Sequence, residues 1–111
     1  MIAATRTLYI RTTGATAPTE VSIAIDVPVM DRSAWRCDLR IGWPDGEKAG
    51  YGMGFDAVQA LYSALRFVAI QLYSSPYHQS RSLCFGTPGD GYGFPLPFDS
   101  RDLEIGIDKS L

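Results

Sequence analysis

The stretch DAVQALYSALRFVAIQLYS, residues 56–74, decides how the rest of the chain is read. Within it Val58, Leu61, Leu65, Val68 and Leu72 recur at spacings of three and four, the period of an α-helix that lays one face on a core. Asp56 stands where a helix cap accepts a first-turn N–H, and Gln59 follows three residues on, a capping-box spacing with Asp in the Ser/Thr position. Pro76 limits the far end, because its ring clashes with the preceding turn and it has no N–H to donate. A rod of this length spans roughly 28 Å at the helical rise, enough to cross several strands.

Upstream of the helix the period drops to two. Leu8 and Ile10 alternate with Thr7, Tyr9 and Arg11 from about Thr5 to Arg11. Val21, Ile23, Ile25 and Val27 alternate with Ser22, Ala24 and Asp26, closed by Pro28, which has no N–H for a ladder. Trp35, Cys37, Leu39 and Ile41 alternate with Arg36, Asp38 and Arg40, and Pro44-Asp45-Gly46 supplies turn chemistry. The connections, Thr13 to Thr19 and Met30 to Ala34, are short enough for antiparallel neighbours. Downstream, Leu83 and Phe85 mark a short strand, Gly86 to Pro97 is a loop, and Leu103, Ile105 and Ile107 suggest a last strand. The expectation is a single α+β domain over residues 1–111, an antiparallel sheet of four to five strands in the order β-β-β-α-β-β with one long helix packed across one face.

The composition narrows the function classes. The 111 residues are 46% hydrophobic and 20% charged, with 10 Lys+Arg against 12 Asp+Glu. Such a chain can bury a core, and it lacks the concentrated basic field that sequence-independent phosphate binding requires, so no nucleic-acid partner is expected. Met1 to Thr13 hold no long apolar run, so neither a signal peptide nor a membrane span is read there and a cytoplasmic location is expected. Cys37 and Cys84 fall in strand-like apolar segments and are expected as free buried thiols.

No catalytic motif stands out. Gly50-Tyr51-Gly52-Met53-Gly54 precedes the helix, but Phe55-Asp56 follows where a phosphate loop needs Lys and Ser/Thr, so the run reads as a flexible turn. The single histidine, His78, has no nucleophile at a telling spacing and reads as a surface residue. One His and two distant Cys give no metal-ligand pattern, and neither a metal nor a cofactor is expected. Asp99, Asp102 and Glu104 read as solvated carboxylates. The outward sheet face, with Tyr9, Asp26, Arg36, Asp38 and Arg40, carries the residue types of a protein interface but also those of cross-strand salt pairs.

Trp35-x-Cys37, Gly54-Phe55-Asp56-Ala57-Val58-Gln59-Ala60-Leu61, Leu83-x-Phe85 and Gly93-Phe94-Pro95-Leu96-Pro97 together resemble a group of small uncharacterised bacterial domains. These share a W-x-C strand, a G-x-D-x-x-Q-A-L helix start and a G-F-P-L-P loop. The resemblance spans roughly Trp35 to Pro97 and implies a shared fold and a bacterial origin, with no activity, cofactor or catalytic residue to carry over.

Two functions follow as expectations. Phe67 and Ile70 project near the side of the helix opposite its apolar stripe, and with Tyr73 they are candidate interface residues whose cover is either the chain's own Phe94, Leu96 and Phe98 or a second subunit. That favours a non-catalytic domain that binds protein, itself as a homodimer or another chain. The alternative is a ligand or enzymatic pocket between the Gly50–Gly54 turn and the Gly86–Pro97 loop, lined by Tyr51, Tyr92, Phe94, His78 and Asp99.

Overall fold

A computed structural model describes residues 1–111. Five strands precede the helix: β1 (Ile2–Ile10), β2 (Thr19–Asp26), β3 (Val29–Asp31), β4 (Ala34–Trp43) and β5 (Gly46–Gly54). Helix α1 (Ala57–Tyr73) follows, then the one-turn α2 (Pro76–Gln79) and the two-residue β6 (Leu83–Cys84). All pairings are antiparallel. β5 runs along one edge of β4 from Trp35 to Trp43, so β2 and β3 share the other edge, and β1 and β6 extend the sheet beyond β2. The fold is α+β, as the periodicities require.

The inward alternation of the first half forms the core: Leu8 and Ile10, Val21, Ile23 and Ile25, and Cys37, Leu39 and Ile41 are all buried. Asp56 caps α1 by accepting from Gln59 N at 2.8 Å, and Gln59 Oε1 accepts from Phe55 N at 2.6 Å. Both cysteines are free and buried.

The glycine run is not a turn. It is β5, in register with the inward side of β4: Gly54 opposite Trp35, Gly52 opposite Cys37 and Gly50 opposite Leu39. A Cβ on Gly52 would lie 2.6 Å from Ala60 O and still closer to Ala64 N, and one on Gly54 would lie 2.5 Å from Ala60 N. The glycines therefore let the helix backbone rest directly on the strand. The same contact rotates the helix from the expected stripe. Ala60, Ala64, Val68, Ala69 and Leu72 are buried, whereas Val58 is 72% exposed, because small residues meet the glycines and leave the larger ones to the flanks.

The second correction concerns the C-terminus. The expected last strand over Leu103–Ile107 is absent; Phe98–Leu103 and Gly106–Ser110 form two 3-10 helical turns. Two carboxylates fix this tail. Glu104, 3% exposed, accepts from Leu96 N at 2.8 Å and pairs with Arg101 Nε at 2.5 Å. Asp108, fully buried, accepts from Gly93 N at 2.6 Å, Tyr92 N at 3.0 Å and the Tyr73 hydroxyl at 2.5 Å. Glu104 and Asp108 thus stand where local donors need a charged acceptor, and backbone amides prefer such a partner to a neutral one. Beneath the tail, Tyr92, Phe94 and Leu96 join the core, covering sheet that α1 leaves open.

Candidate functional site

Two regions of the surface depart from an ordinary solvated exterior. The first surrounds β5. This strand is nine residues long, and β4 is its only partner in the chain, so its second edge is unpaired. It has neither proline nor bulge, and from Ala49 to Gly54 it has no charge. Alternation sends Ala49, Tyr51 and Met53 to the sheet face away from the helix, beside Arg40, Asp38 and Arg36 respectively.

On that outer face Arg36 stacks over the Tyr51 ring at 3.9 Å and donates to Asp38 at 2.8 Å, while Arg40 pairs with Asp26 at 3.3 Å. The hydrogen bond to Asp38 holds the Arg36 guanidinium above its ordinary pKa. Val29, opposite Arg36 across the β3–β4 ladder, extends the row to Met53. Tyr51, Met53, Val29, Phe55 and Val58 are all exposed, Phe55 by 91%. An Arg, a Tyr and a Met amid exposed aliphatic groups have the make-up of an interface centre.

The second region is a cleft of ≈ 680 Å³ beside α2. His78, Arg81, Pro88 and Tyr92 are among its lining residues. Ser75 caps α2 by accepting from His78 N at 3.1 Å. The His78 ring is half-buried rather than on the open surface, with Nδ1 2.5 Å from the Tyr92 hydroxyl. Burial lowers the His78 pKa, and burial followed by the nearby Asp108 charge pushes Tyr92 up to about 12. Burial and the hydrogen bond to Asp108 raise Tyr73 as well.

The backbone under this network is clamped from both sides. Asp108 takes the N–H groups of Tyr92 and Gly93, and Arg6 donates to their carbonyl oxygens at 3.1 and 3.0 Å, its guanidinium set over the Phe85 and Phe94 rings. Asp108 and Arg6 are the residues that sequence reasoning passed over. Arg6 did carry a signal, since it shares the inward parity of Leu8 and Ile10, where an unpaired charge would be costly.

The residues singled out from sequence separate into four places. His78 and Tyr92 meet at the cleft. Tyr51 lies on the opposite sheet face, Phe94 is in the core and Asp99 is exposed on the first 3-10 turn, so the five do not line one pocket. The ground between the Gly50–Gly54 strand and the helix is filled by α1 itself. Phe67 lies over Gly50, within 2.7 Å of where a Cβ there would sit, and Tyr73 is held by Asp108, while Ile70 stays 43% exposed. Of the three tail residues weighed as cover, Phe94 and Leu96 are buried and Phe98 is 90% exposed.

No helix is long and apolar enough to cross a membrane. A two-layer α+β domain with a bare edge along β5 and a cleft beside α2 is the class that these features define. The chain belongs to the family described as Domain of unknown function (DUF6968), whose model matches residues 4–96. That span takes in β5, α1, His78, Arg81 and Tyr92, and stops before Glu104 and Asp108. No curated protein and no solved structure matches the chain.

Proposed function

We propose that the domain works by self-association, with β5 of one copy pairing antiparallel to β5 of a second across a two-fold axis. The observation that carries this reading is the bare edge of β5, nine residues long, with no proline or bulge and no charge from Ala49 to Gly54. Folded proteins blunt exposed edges with prolines, bulges, charged side chains or short strands. In β5 the only charges are Glu47 and Lys48, near one end.

A second copy suits this edge for a geometrical reason. Alternation has a period of two, and an antiparallel two-fold through any residue of β5 places inward position against inward position and outward residue against outward residue. About Tyr51, for example, Gly50 faces Gly52 of the other copy and Ala49 faces its Met53, with the two Tyr51 rings adjacent. The glycines leave the helix layer unobstructed, while Tyr51, Met53 and the Arg36 stack meet their own images on the outer face.

Sedimentation equilibrium tests the reading, comparing wild type with Tyr51→Glu and Met53→Lys. Both substitutions alter outward side chains and leave the core untouched. Wild type is expected to show a concentration-dependent dimer, and each variant a monomer with an unchanged circular dichroism spectrum. A wild-type monomer at the highest soluble concentration, or a dimer undisturbed by both variants, refutes it.

A further inference from the structure

We infer that the cleft beside α2 is a binding site for a small organic monocarboxylate with an apolar body, its carboxylate held by Arg81 and its body laid against Pro88 and Ile105. Both parts of this description come from the lining.

The polar side is rich in donors and poor in acceptors. Arg81 makes no side-chain hydrogen bond or ion pair within the chain, although it lines the cleft. Its neighbour His78 has Nδ1 occupied by Tyr92. The Tyr92 hydroxyl has no other side-chain partner in the chain, so the pair is closed on itself at Nδ1 and Nε2 is left as the free ring nitrogen. Gln79 adds an amide, and no Asp or Glu is among the lining side chains. The site therefore offers one full positive charge, a free imidazole nitrogen and no carboxylate on its wall. A planar guanidinium of this kind takes a carboxylate through two parallel N–H···O bonds.

The backbone at Arg81 gives an independent reason to single out this residue. α2 ends in a two-bond C-terminal motif: Arg81 N donates to His78 O at 3.0 Å and Ser82 N to Tyr77 O at 3.0 Å. The residue between those bonds takes left-handed backbone, the position that glycine normally fills. Here it is Arg81, at φ 60°. A side chain is thus kept where bare backbone would be easier to form, and that side chain stands at the cleft.

The remaining wall sets the body of the ligand. Leu83 and Tyr92 back this wall from the core, each 2% exposed, while the half-buried Ile105 and the exposed Pro88 supply its open apolar surface. The volume is in the range of small-molecule sites and exceeds what an inorganic anion fills. One arginine with no lysine beside it matches a single negative charge better than a phosphate ester.

Nuclear magnetic resonance titration tests the assignment with 2-naphthoate, its neutral analogue 2-naphthalenemethanol, and inorganic phosphate. For wild type, 2-naphthoate is expected to shift the His78 ring and Tyr92 amide signals saturably, about tenfold more tightly than the alcohol, with no saturable response to phosphate. Arg81→Gln should bring the two naphthyl compounds to equal affinity. Arg81→Gly, which relieves the left-handed backbone and keeps the fold, should do the same. Absence of a saturable 2-naphthoate response, a phosphate response of equal strength, or an unchanged preference for the acid in both Arg81 variants overturns the assignment.

Discussion

Replacing Gly52 by alanine tests the contact on which the two layers depend. The added Cβ would lie 2.6 Å from Ala60 O and 2.7 Å from Ser63 C, and closer still to Ala64 N. All three are main-chain atoms, so no side-chain rotation relieves the clash and the whole helix has to retreat by roughly 1 Å to restore ordinary contact. A gap of that size forfeits a quarter to a half of the dispersion attraction of the lining atoms. With the overpacking strain this amounts to about 3 kcal/mol, at the upper end of small-to-large core substitutions. For a chain of this length it corresponds to a fall in Tm of roughly 13 °C. Gly42→Ala is the control, since its Cβ would meet Ser22 O at an ordinary 3.5 Å. Urea denaturation followed by far-ultraviolet circular dichroism gives both values. Adding Ala64→Gly to Gly52→Ala should not restore stability, because the closest obstruction is the Ala64 nitrogen and not its methyl group. If Gly52→Ala costs no more than Gly42→Ala, the direct seating of helix on strand is wrong.

Three further outcomes follow from the polar network. Asp108→Ala strips the acceptor from Tyr92 N, Gly93 N and the Tyr73 hydroxyl and should cost about 3 kcal/mol. Limited proteolysis should then cut beyond Leu96, and wild-type resistance there would refute the role of Asp108 as the tail's anchor. Tyr92, pushed up to about 12, and Tyr73, also raised, keep their protons in the folded state after the unfolded chain has begun to lose them near pH 10. Their contribution is therefore complete below pH 10 and is lost as pH rises toward 12, so urea midpoints should fall between pH 10 and 12; six tyrosines titrating together at 295 nm would contradict this. His78, the only histidine, is lowered by burial, so protonation favours the unfolded chain. Its contribution is intact above about pH 6.5 and declines as pH falls below that value, and ring-proton resonances titrating at or above the free-histidine pKa would refute it.

The legible parts of the fold were those that local chemistry fixes. Asp56 and Gln59 start α1 through bonds that span four residues, and the strand alternations around Leu8, Ile23 and Leu39 place a wet and a dry face whatever lies above them. The glycine run misleads because a glycine in a turn and a glycine under a helix look alike in sequence; only the approach of Ala60 and Ala64 tells them apart. The tail misleads for a related reason. Leu103, Ile105 and Ile107 have strand spacing, but no sheet edge is open to them where Glu104 and Asp108 tie the chain down.

For the site, sequence grouped His78 and Tyr92 with Tyr51, Phe94 and Asp99 around one expected pocket, and tertiary structure joined only the first two. It also parted Tyr51, Phe94 and Asp99 from them, since parity along β5 and burial under the tail act over distances that no local pattern records. The sequence by itself determined that one helix would lie on an antiparallel sheet, because periodicity and capping depend on neighbours a few residues away. Tertiary structure alone decided that Arg6 and Asp108 would grip the same two residues, and that Arg81 would stand unpaired at a cleft. Charged side chains find their partners through space, and Arg6 and Asp108 reach the backbone of Tyr92 and Gly93 only after the sheet and tail have closed around it.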